Sequence, residues 1–184
     1  MDEANGVAAA DRRRPSPAPP VRILEGQSGS EAAARAMRAY LDELADRLES
    51  ADDPELSHAA DPLDVTPPRG DFILALEVAT AELAGFGAVH VLAPGVVEIK
   101  RMWLRPDVRG RGLGKFLLKQ LENRARALGG HRVILAVNES LVEALGLYVA
   151  AGYEPVEAFE DNPYTTHFFG KQLVSQRKDD ESGR

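Results

Sequence analysis

Residues 109–114, with the sequence Arg-Gly-Arg-Gly-Leu-Gly, combine side-chain types that can bind an anionic phosphate group. Three glycines at alternate positions permit a tight turn and leave the backbone N–H groups of that turn uncovered. Because a helical pattern begins at Leu113, the positive end of a helix dipole adds to these N–H groups. The turn therefore predicts a binding site for a ligand that carries a pyrophosphate.

The spacing of the glycines excludes two common nucleotide-binding motifs. A P-loop requires Gly-x-x-x-x-Gly-Lys-Ser/Thr, but Arg109 stands at the first glycine position and Phe116 at the hydroxyl position. The dinucleotide fingerprint Gly-x-Gly-x-x-Gly also fails, because counts from the first two glycines end on a lysine and a leucine. An Arg–Gly-rich RNA-binding tract is disfavoured, since an apolar strand precedes the turn and an amphipathic helix follows it.

The elements around this turn are a strand and a helix. Residues 96–104 are rich in apolar side chains, and Pro106 ends the strand because proline lacks a backbone donor. Apolar residues recur at helical spacing over 113–128, and two glycines follow as a stop. The mixed polarity of 96–104 predicts a β-bulge, so simple alternation does not indicate which face of the sheet Glu98 occupies.

Across the rest of the chain, the hydrophobic pattern predicts the order β-α-loop-β-β-β-α-β-α-β-β. Two helix starts carry the Ser-x-x-Glu pattern of a capping box, Ser28 with Glu31 and Ser140 with Glu143. Loop 51–70 contains four prolines and is long for a compact domain, so we expect it to be functional or mobile. The predicted strands are 21–24, 72–78, 85–92, 96–104, 133–137, 156–159 and 167–173.

Length and composition indicate one globular domain. The chain has 184 residues, of which 44% are hydrophobic, and this is enough for a sizeable core. We expect the domain to cover 21–174. A tail rich in proline and arginine over 1–20 and a charged tail over 175–184 lie outside it.

The same composition excludes several classes of function. The chain has no cysteine, which excludes disulfides, thiolate metal sites and a cysteine nucleophile, and its four histidines lack metal-ligand spacing. No apolar run approaches a membrane span or a signal-peptide core, so we expect a cytoplasmic protein that does not bind membranes. A net charge of −7 argues against nucleic acid as a partner.

Two motifs together resemble the signatures of the GCN5-related N-acetyltransferase (GNAT) superfamily. The acyl-CoA signature of that family, Arg/Gln-x-x-Gly-x-Gly/Ala, is matched by Arg109, Gly112 and Gly114. Residues 144–153 resemble the family's second motif, Ala-x-x-Leu-Tyr-x-x-x-Gly-Phe/Tyr, and the resemblance covers 21–173. It implies an α/β fold with a mixed, mostly antiparallel central sheet, whose middle strands are splayed and whose faces are flanked by helices.

The resemblance also implies a reaction and a set of binding residues. The expected function is direct transfer of an acetyl group from acetyl-CoA to a primary amine in a ternary complex, because no cysteine exists to form an acyl-enzyme. The acceptor is a small-molecule or peptide amine. The alternative is a non-catalytic CoA-binding regulatory or partner-binding module, and pairing of two copies into a homodimer also stays open. The implied CoA-binding residues are Met102, Leu104, Arg109, Gly110, Arg111, Gly112, Leu113, Gly114 and Lys115.

Three further residues have two interpretations each. By resemblance Tyr148 is the general acid at the sulfur, although it is also compatible with a buried aromatic whose hydroxyl is satisfied. Glu98 is the best-placed general base, or else an exposed carboxylate paired with a neighbouring cation. Many family members have an asparagine that contacts the pantetheine, at the position where this chain has Leu141. Asn138, one turn earlier, either takes the place of that asparagine or caps the helix.

Overall fold

The computed structural model describes residues 17–48 and 65–173, which form seven strands, three α-helices and a short 3-10 turn at Pro106–Val108. The helices are α1 (Glu31–Arg47), α2 (Leu113–Ala127) and α3 (Val142–Ala150). The strands are β1 (Val21–Leu24), β2 (Gly70–Glu77), β3 (Leu83–Ala93), β4 (Val96–Leu104), β5 (Arg132–Val137), β6 (Glu154–Pro155) and β7 (His167–Gln172).

All seven strands belong to one sheet, in the order β1-β2-β3-β4-β5-β7-β6. Every neighbouring pair is antiparallel except β4 and β5, which run parallel. That parallel pair is joined at three positions only, the last of which is Glu98 opposite Ile134. The two strands separate beyond this point and leave a gap in the middle of the sheet, which confirms the expected mostly antiparallel sheet with splayed middle strands.

A β-bulge in β4 lies beside the gap. Phe86 of β3 pairs with Trp103, and Ala88 pairs with Lys100, so two residues of β4 oppose one residue of β3. One of these two, Arg101, adopts the left-handed conformation with φ 57°. The bulge confirms the sequence prediction, and it shifts the alternation of the strand so that Trp103 shares a face with Lys100.

The two faces of the sheet carry separate cores. On one face, α2 and α3 pack against strand residues that include Val97 and Ile99. On the other face, α1 covers Phe72, Leu74 and Phe86 with its small residues, two of which are fully buried alanines. Burial of these two apolar surfaces drives the three layers together.

Both predicted capping boxes are wrong. The N-cap of α1 is Ser30, whose hydroxyl accepts the Ala33 N–H at 3.0 Å, while Ser28 accepts a hydrogen bond from Thr66 instead. α3 begins at Val142 without any side-chain cap. Its predicted cap, Ser140, lies two residues before the helix, in a turn where its N–H donates to the Asn138 carboxamide oxygen at 2.9 Å.

The closing strand predicted at 156–159 is also wrong. β6 consists of Glu154–Pro155, and Val156 adds one more bond by donating its N–H to the Phe168 carbonyl before the chain leaves the sheet. Of the predicted loop 51–70, only 65–70 lies within the described residues, and Gly70 already belongs to β2. The tails at 1–16 and 174–184 lie outside the described residues, so the predicted domain limits stay predictions.

One buried carboxylate links the loop after β1 to the sheet and to α2. Asp71 is 1% exposed, and its Oδ1 accepts the N–H groups of Gly26 and Phe72 at 2.8 Å each. Its Oδ2 lies 2.6 Å from Nε of Arg124 on α2, and Arg124 also pairs with Glu25. Since every partner comes from a different element, the carboxylate holds those elements in register.

We therefore expect Asp71→Ala to lower the free energy of unfolding by about 3 kcal/mol, because two backbone donors and a partly buried guanidinium lose their acceptor. Urea titration measures this change. Arg35→Ala is the matched control, since Arg35 pairs with Glu31 on the exposed side of α1 and contributes less than about 0.5 kcal/mol. Equal effects of the two substitutions would contradict this role for Asp71.

Candidate active site

A cleft of about 480 Å³ opens at the gap between β4 and β5. Its walls are the C-terminal half of α1, the end of β4, the glycine-rich turn and the first turns of α3. Predicted site residues in the lining are Met102, Leu104, Arg109, Gly110, Gly112, Gly114, Lys115 and Tyr148. Residues in the lining that the sequence did not indicate include Tyr40, Glu43, Arg47 and Glu143.

The glycine-rich turn presents its backbone to this cleft. Gly110 and Gly112 have φ values of 69° and 89°, so the turn needs glycine for its backbone conformation. A Cβ atom at either position would meet nothing within 4 Å, which shows that space is not the constraint there. In the described part of the chain, the N–H groups of residues 112–115 donate to no carbonyl, so they can bind an anion.

The Arg109 side chain has a structural role. Its Nε and Nη2 donate to the Leu104 carbonyl at 2.8 and 2.7 Å, and its Nη1 donates to Glu43 at 2.8 Å. The guanidinium thus ties the turn to the end of β4 and to α1. The groups at the turn that are available to an anion are the backbone N–H groups and Lys115, which lines the cleft and forms no ion pair within the described residues.

Glu43 is the centre of this network. Besides Arg109, its carboxylate accepts Trp103 Nε1 at 2.7 Å and lies 3.0 Å from Arg47 Nε. Partial burial acts to raise the pKa of Glu43, but the hydrogen bonds from Arg109 and Trp103, with the two positive charges, hold it below its usual range. The sequence did not reveal this role, because Glu43 and Arg47 have the spacing of an ordinary surface pair on a helix.

A second ion pair connects α1 to α3 across the cleft. The Arg47 guanidinium donates to both carboxylate oxygens of Glu143, at 3.1 and 3.2 Å. Glu143 was predicted to cap α3, and its carboxylate is instead used for this contact. The pair closes one side of the cleft between the two helices.

Tyr148 lies deep in the cleft. It is 7% exposed, and its ring packs near Tyr153 and Phe169 at centroid distances of 5.8 and 6.4 Å. Burial, followed by the electrostatic effect of Tyr40, raises the pKa of its hydroxyl above the usual range. Within the described residues this hydroxyl makes no hydrogen bond, so its donor is available to a ligand.

Glu98 is buried on the α1 face of the sheet and is not part of the cleft lining. Its Oε2 lies 3.5 Å from Lys100 Nζ and 4.0 Å from His90 Nδ1. Desolvation is the largest influence and raises the pKa of Glu98, although Lys100 opposes it. Of the alternative interpretation, the exposure of Glu98 is therefore wrong, whereas its pairing with a neighbouring cation, Lys100, is present.

The other three predicted binding residues direct their side chains elsewhere. Arg111 donates to the Pro17 carbonyl at 2.7 Å, and Leu113 is buried in a small apolar cluster with Val108. Asn138 accepts the Ser140 N–H and donates to the Tyr164 carbonyl at 2.7 Å, so it stabilises the loop before α3. Their backbone groups, rather than their side chains, remain candidates for ligand contacts.

Among residues 17–48 and 65–173, no group of three His, Cys, Asp or Glu side chains could hold a metal ion. No helix in these same ranges is long and apolar enough to cross a membrane.

The comparison with known families agrees with this geometry. Residues 32–153 match the model of the acetyltransferase (GNAT) family, and this match includes α1 except its first residue, the glycine-rich turn and α3. The chain belongs to the GNAT family, which confirms the resemblance that its two motifs indicated.

Individual relatives cover part of the chain. It is 34% identical over 98 residues to an uncharacterized N-acetyltransferase of Schizosaccharomyces pombe, covering 53% of this chain and 60% of the relative. It is 34% identical over 91 residues to an L-methionine sulfoximine/L-methionine sulfone acetyltransferase of Pseudomonas paraeruginosa, covering 47% and 52%. Thus the matches span between about half and three fifths of the length of these relatives.

The fold resembles that of PaiA N-acetyltransferase from Thermoplasma acidophilum in complex with coenzyme A. The two structures superimpose with a TM-score of 0.63 at 15% sequence identity, and the match covers 82% of this chain and 99% of that neighbour.

The Glu43 network predicts a pH-dependent contribution to stability. Glu43→Gln should lower the free energy of unfolding by about 1 kcal/mol at pH 7, because charge-assisted hydrogen bonds weaken. Since the folded-state pKa is depressed, the carboxylate stabilises the fold above the unfolded pKa of about 4.3 and loses this effect as the pH falls through the folded value. The difference between parent and variant should therefore narrow below about pH 4.3 in denaturant titrations.

Glu31→Gln provides the control for this measurement, because the Glu31 side chain is 87% exposed. It should match the parent at every pH. A Glu43→Gln deficit that stays constant from pH 7 to pH 3 would contradict the assignment.

Proposed function

We propose that this chain is an N-acetyltransferase that moves an acetyl group from acetyl-CoA to a primary amine directly, in a ternary complex. The observation that carries the proposal is the continuity of one cleft from the uncovered N–H groups of residues 112–115 to the Tyr148 hydroxyl. A ligand that bears phosphates at one end and a reactive group at the other fits this arrangement. Acetyl-CoA is such a molecule.

The two ends of acetyl-CoA have distinct partners in this proposal. Its pyrophosphate accepts hydrogen bonds from the turn between β4 and α2, with Lys115 supplying a positive charge. Its pantetheine arm runs along the part of β4 beyond Glu98, where β5 no longer occupies the hydrogen-bonding edge. Met102 and Leu104 lie on that stretch and line the cleft. The CoA bound to the Thermoplasma acidophilum neighbour is consistent with this assignment.

The chemistry requires a neutral amine and a protonated leaving group. Tyr148 donates its proton to the departing sulfur, and its raised pKa keeps the hydroxyl protonated at neutral pH. Glu98 accepts, through water, the proton that the amine loses, and burial favours this role because it raises the pKa of the carboxylate. The acceptor therefore approaches from the α1 face of the sheet.

Direct transfer is favoured because the chain has no cysteine that could carry the acyl group. The acceptor is a small-molecule or peptide amine, and the acidic net charge suits a cationic amine better than nucleic acid. The substrates named for the Pseudomonas paraeruginosa relative make amino-acid analogues a first choice for testing. We place the reaction in the cytoplasm.

Calorimetric titration with acetyl-CoA tests the phosphate cradle. Gly112→Glu should abolish micromolar binding, because it introduces a negative charge beside the pyrophosphate. Lys115→Glu should weaken binding at least tenfold and leaves the exposed first turn of α2 free of backbone strain.

Gly29→Glu is the matched control, since a Cβ atom at Gly29 meets nothing within 4 Å and the residue lies outside the cleft. It should bind acetyl-CoA like the parent. No binding by the folded parent would overturn the proposed cradle.

Tyr148→Phe tests the chemistry. With L-methionine sulfone, an amino acid, spermidine and a short peptide as acceptors, release of free CoA should fall about 10²- to 10⁴-fold, because the general acid is lost. Affinity for acetyl-CoA should stay within about threefold, since the ring is kept. A parent that binds acetyl-CoA but acetylates none of these amines would favour the non-catalytic CoA-binding module.

A further inference from the structure

We infer that the Tyr40 hydroxyl is a second catalytic donor, which binds the carbonyl oxygen of the thioester opposite Tyr148. This inference rests on the proposed acetyl transfer and adds a residue on α1 to its machinery. Tyr40 lies outside the two motifs that indicated the family, and its role follows from the geometry of the cleft alone.

The Tyr40 ring packs against an aromatic side chain of β3. It packs edge-on against Phe86, with centroids 5.8 Å apart and an interplanar angle of 88°. Phe86 in turn packs against Trp103, its pairing partner on β4 beside the bulge, with ring centroids 5.9 Å apart. Tyr40 therefore lines the cleft together with the end of β4 beyond its separation from β5, which is where a thioester bound along β4 would lie.

Tyr40 and Tyr148 come from opposite faces of the sheet. Tyr40 packs with the apolar cluster under α1, whereas Tyr148 belongs to the cluster under α2 and α3. In a continuous sheet, the backbone of β4 and β5 would separate two such side chains. Here both side chains line one cleft because β4 and β5 separate after Glu98. The negative charge of an ionised Tyr40 would raise the pKa of Tyr148, as expected for two neighbouring phenols.

Neither hydroxyl forms a hydrogen bond inside the described part of the chain. Tyr148 is buried, Tyr40 is half-buried, and both side chains line the cleft, so the two donors are open to a ligand atom that accepts from them. Desolvation is the main reason that the pKa of Tyr40 is raised to about 12, so it remains a donor at neutral pH. The carbonyl oxygen and the sulfur of a thioester are two adjacent acceptors of this kind.

The two hydroxyls then have different tasks. When the amine nitrogen bonds to the carbonyl carbon, the π electrons move to oxygen, and Tyr40 donates a hydrogen bond to this oxyanion without losing its proton. When the C–S bond breaks, Tyr148 gives its proton to the sulfur. The proton released by the amine reaches Glu98 or water and restores Tyr148, so the products are an amide and free CoA.

Tyr40→Phe tests this assignment, because it removes the hydroxyl and keeps the ring on Phe86. With the best amine of the acceptor panel, kcat should fall about a hundredfold, which is typical for the loss of one oxyanion donor. The KM for acetyl-CoA and the melting temperature should stay close to the parent values. A residue that only packs would leave kcat unchanged in this variant.

Tyr153→Phe is the matched control. It also removes one phenol hydroxyl, but this hydroxyl contacts Glu122 outside the cleft, and Glu122 keeps Lys171 at 2.7 Å. We expect kcat within about twofold of the parent.

The outcomes separate the inference from the proposed function. If the parent acetylates the amine and Tyr40→Phe matches it, the role of Tyr40 is overturned and the acetyltransferase assignment stands. A loss of turnover accompanied by weaker acetyl-CoA binding or by a lower melting temperature also overturns it, since that result indicates a structural role. If the parent acetylates no amine, the proposed function itself fails.

Discussion

The early separation of β4 from β5 is the constraint on which the site depends. A parallel pair held at three positions leaves the rest of β4 without a neighbour on one edge, in the middle of a sheet that is otherwise continuous. Unpaired backbone groups inside a fold are costly, so such an edge calls for a partner. The gap also joins the two faces of the sheet, and this allows α1 and α3 to contribute side chains to one cleft.

Charge pairing then determines which groups around the gap are available. The Arg109 guanidinium is fully engaged by the Leu104 carbonyl and by Glu43, and Glu43 also holds Trp103 and Arg47. These contacts fix the turn, the end of β4 and α1 relative to one another. The backbone N–H groups of residues 112–115 are uncovered, whereas the Arg109 side chain supports the turn.

Burial raises the pKa of both the acid and the base of the proposed reaction, and the two groups benefit in different ways. It raises the pKa of the Tyr148 phenol, which keeps a donor protonated, and it raises the pKa of Glu98, which makes a better proton acceptor. Desolvation disfavours the charged form of both groups. Tyr148 and Glu98 lie on different sides of β4. An amine and a thioester that meet at the gap therefore have the acid on one side and the base on the other.

The sequence by itself determined the order of the elements, the glycine-rich turn, the bulge in β4 and the family, because each depends on local spacing or on a contiguous motif. The capping boxes predicted at Ser28 and Ser140 were wrong, because other hydrogen bonds engage these residues in the structure. The tertiary structure alone decided that Tyr40, Glu43 and Arg47 line the cleft. Glu43 meets Arg109 across 66 residues and Arg47 meets Glu143 across 96, and helical periodicity cannot distinguish such contacts from a solvated helix face. Only the packing of α1 over the gap gives these side chains their neighbours.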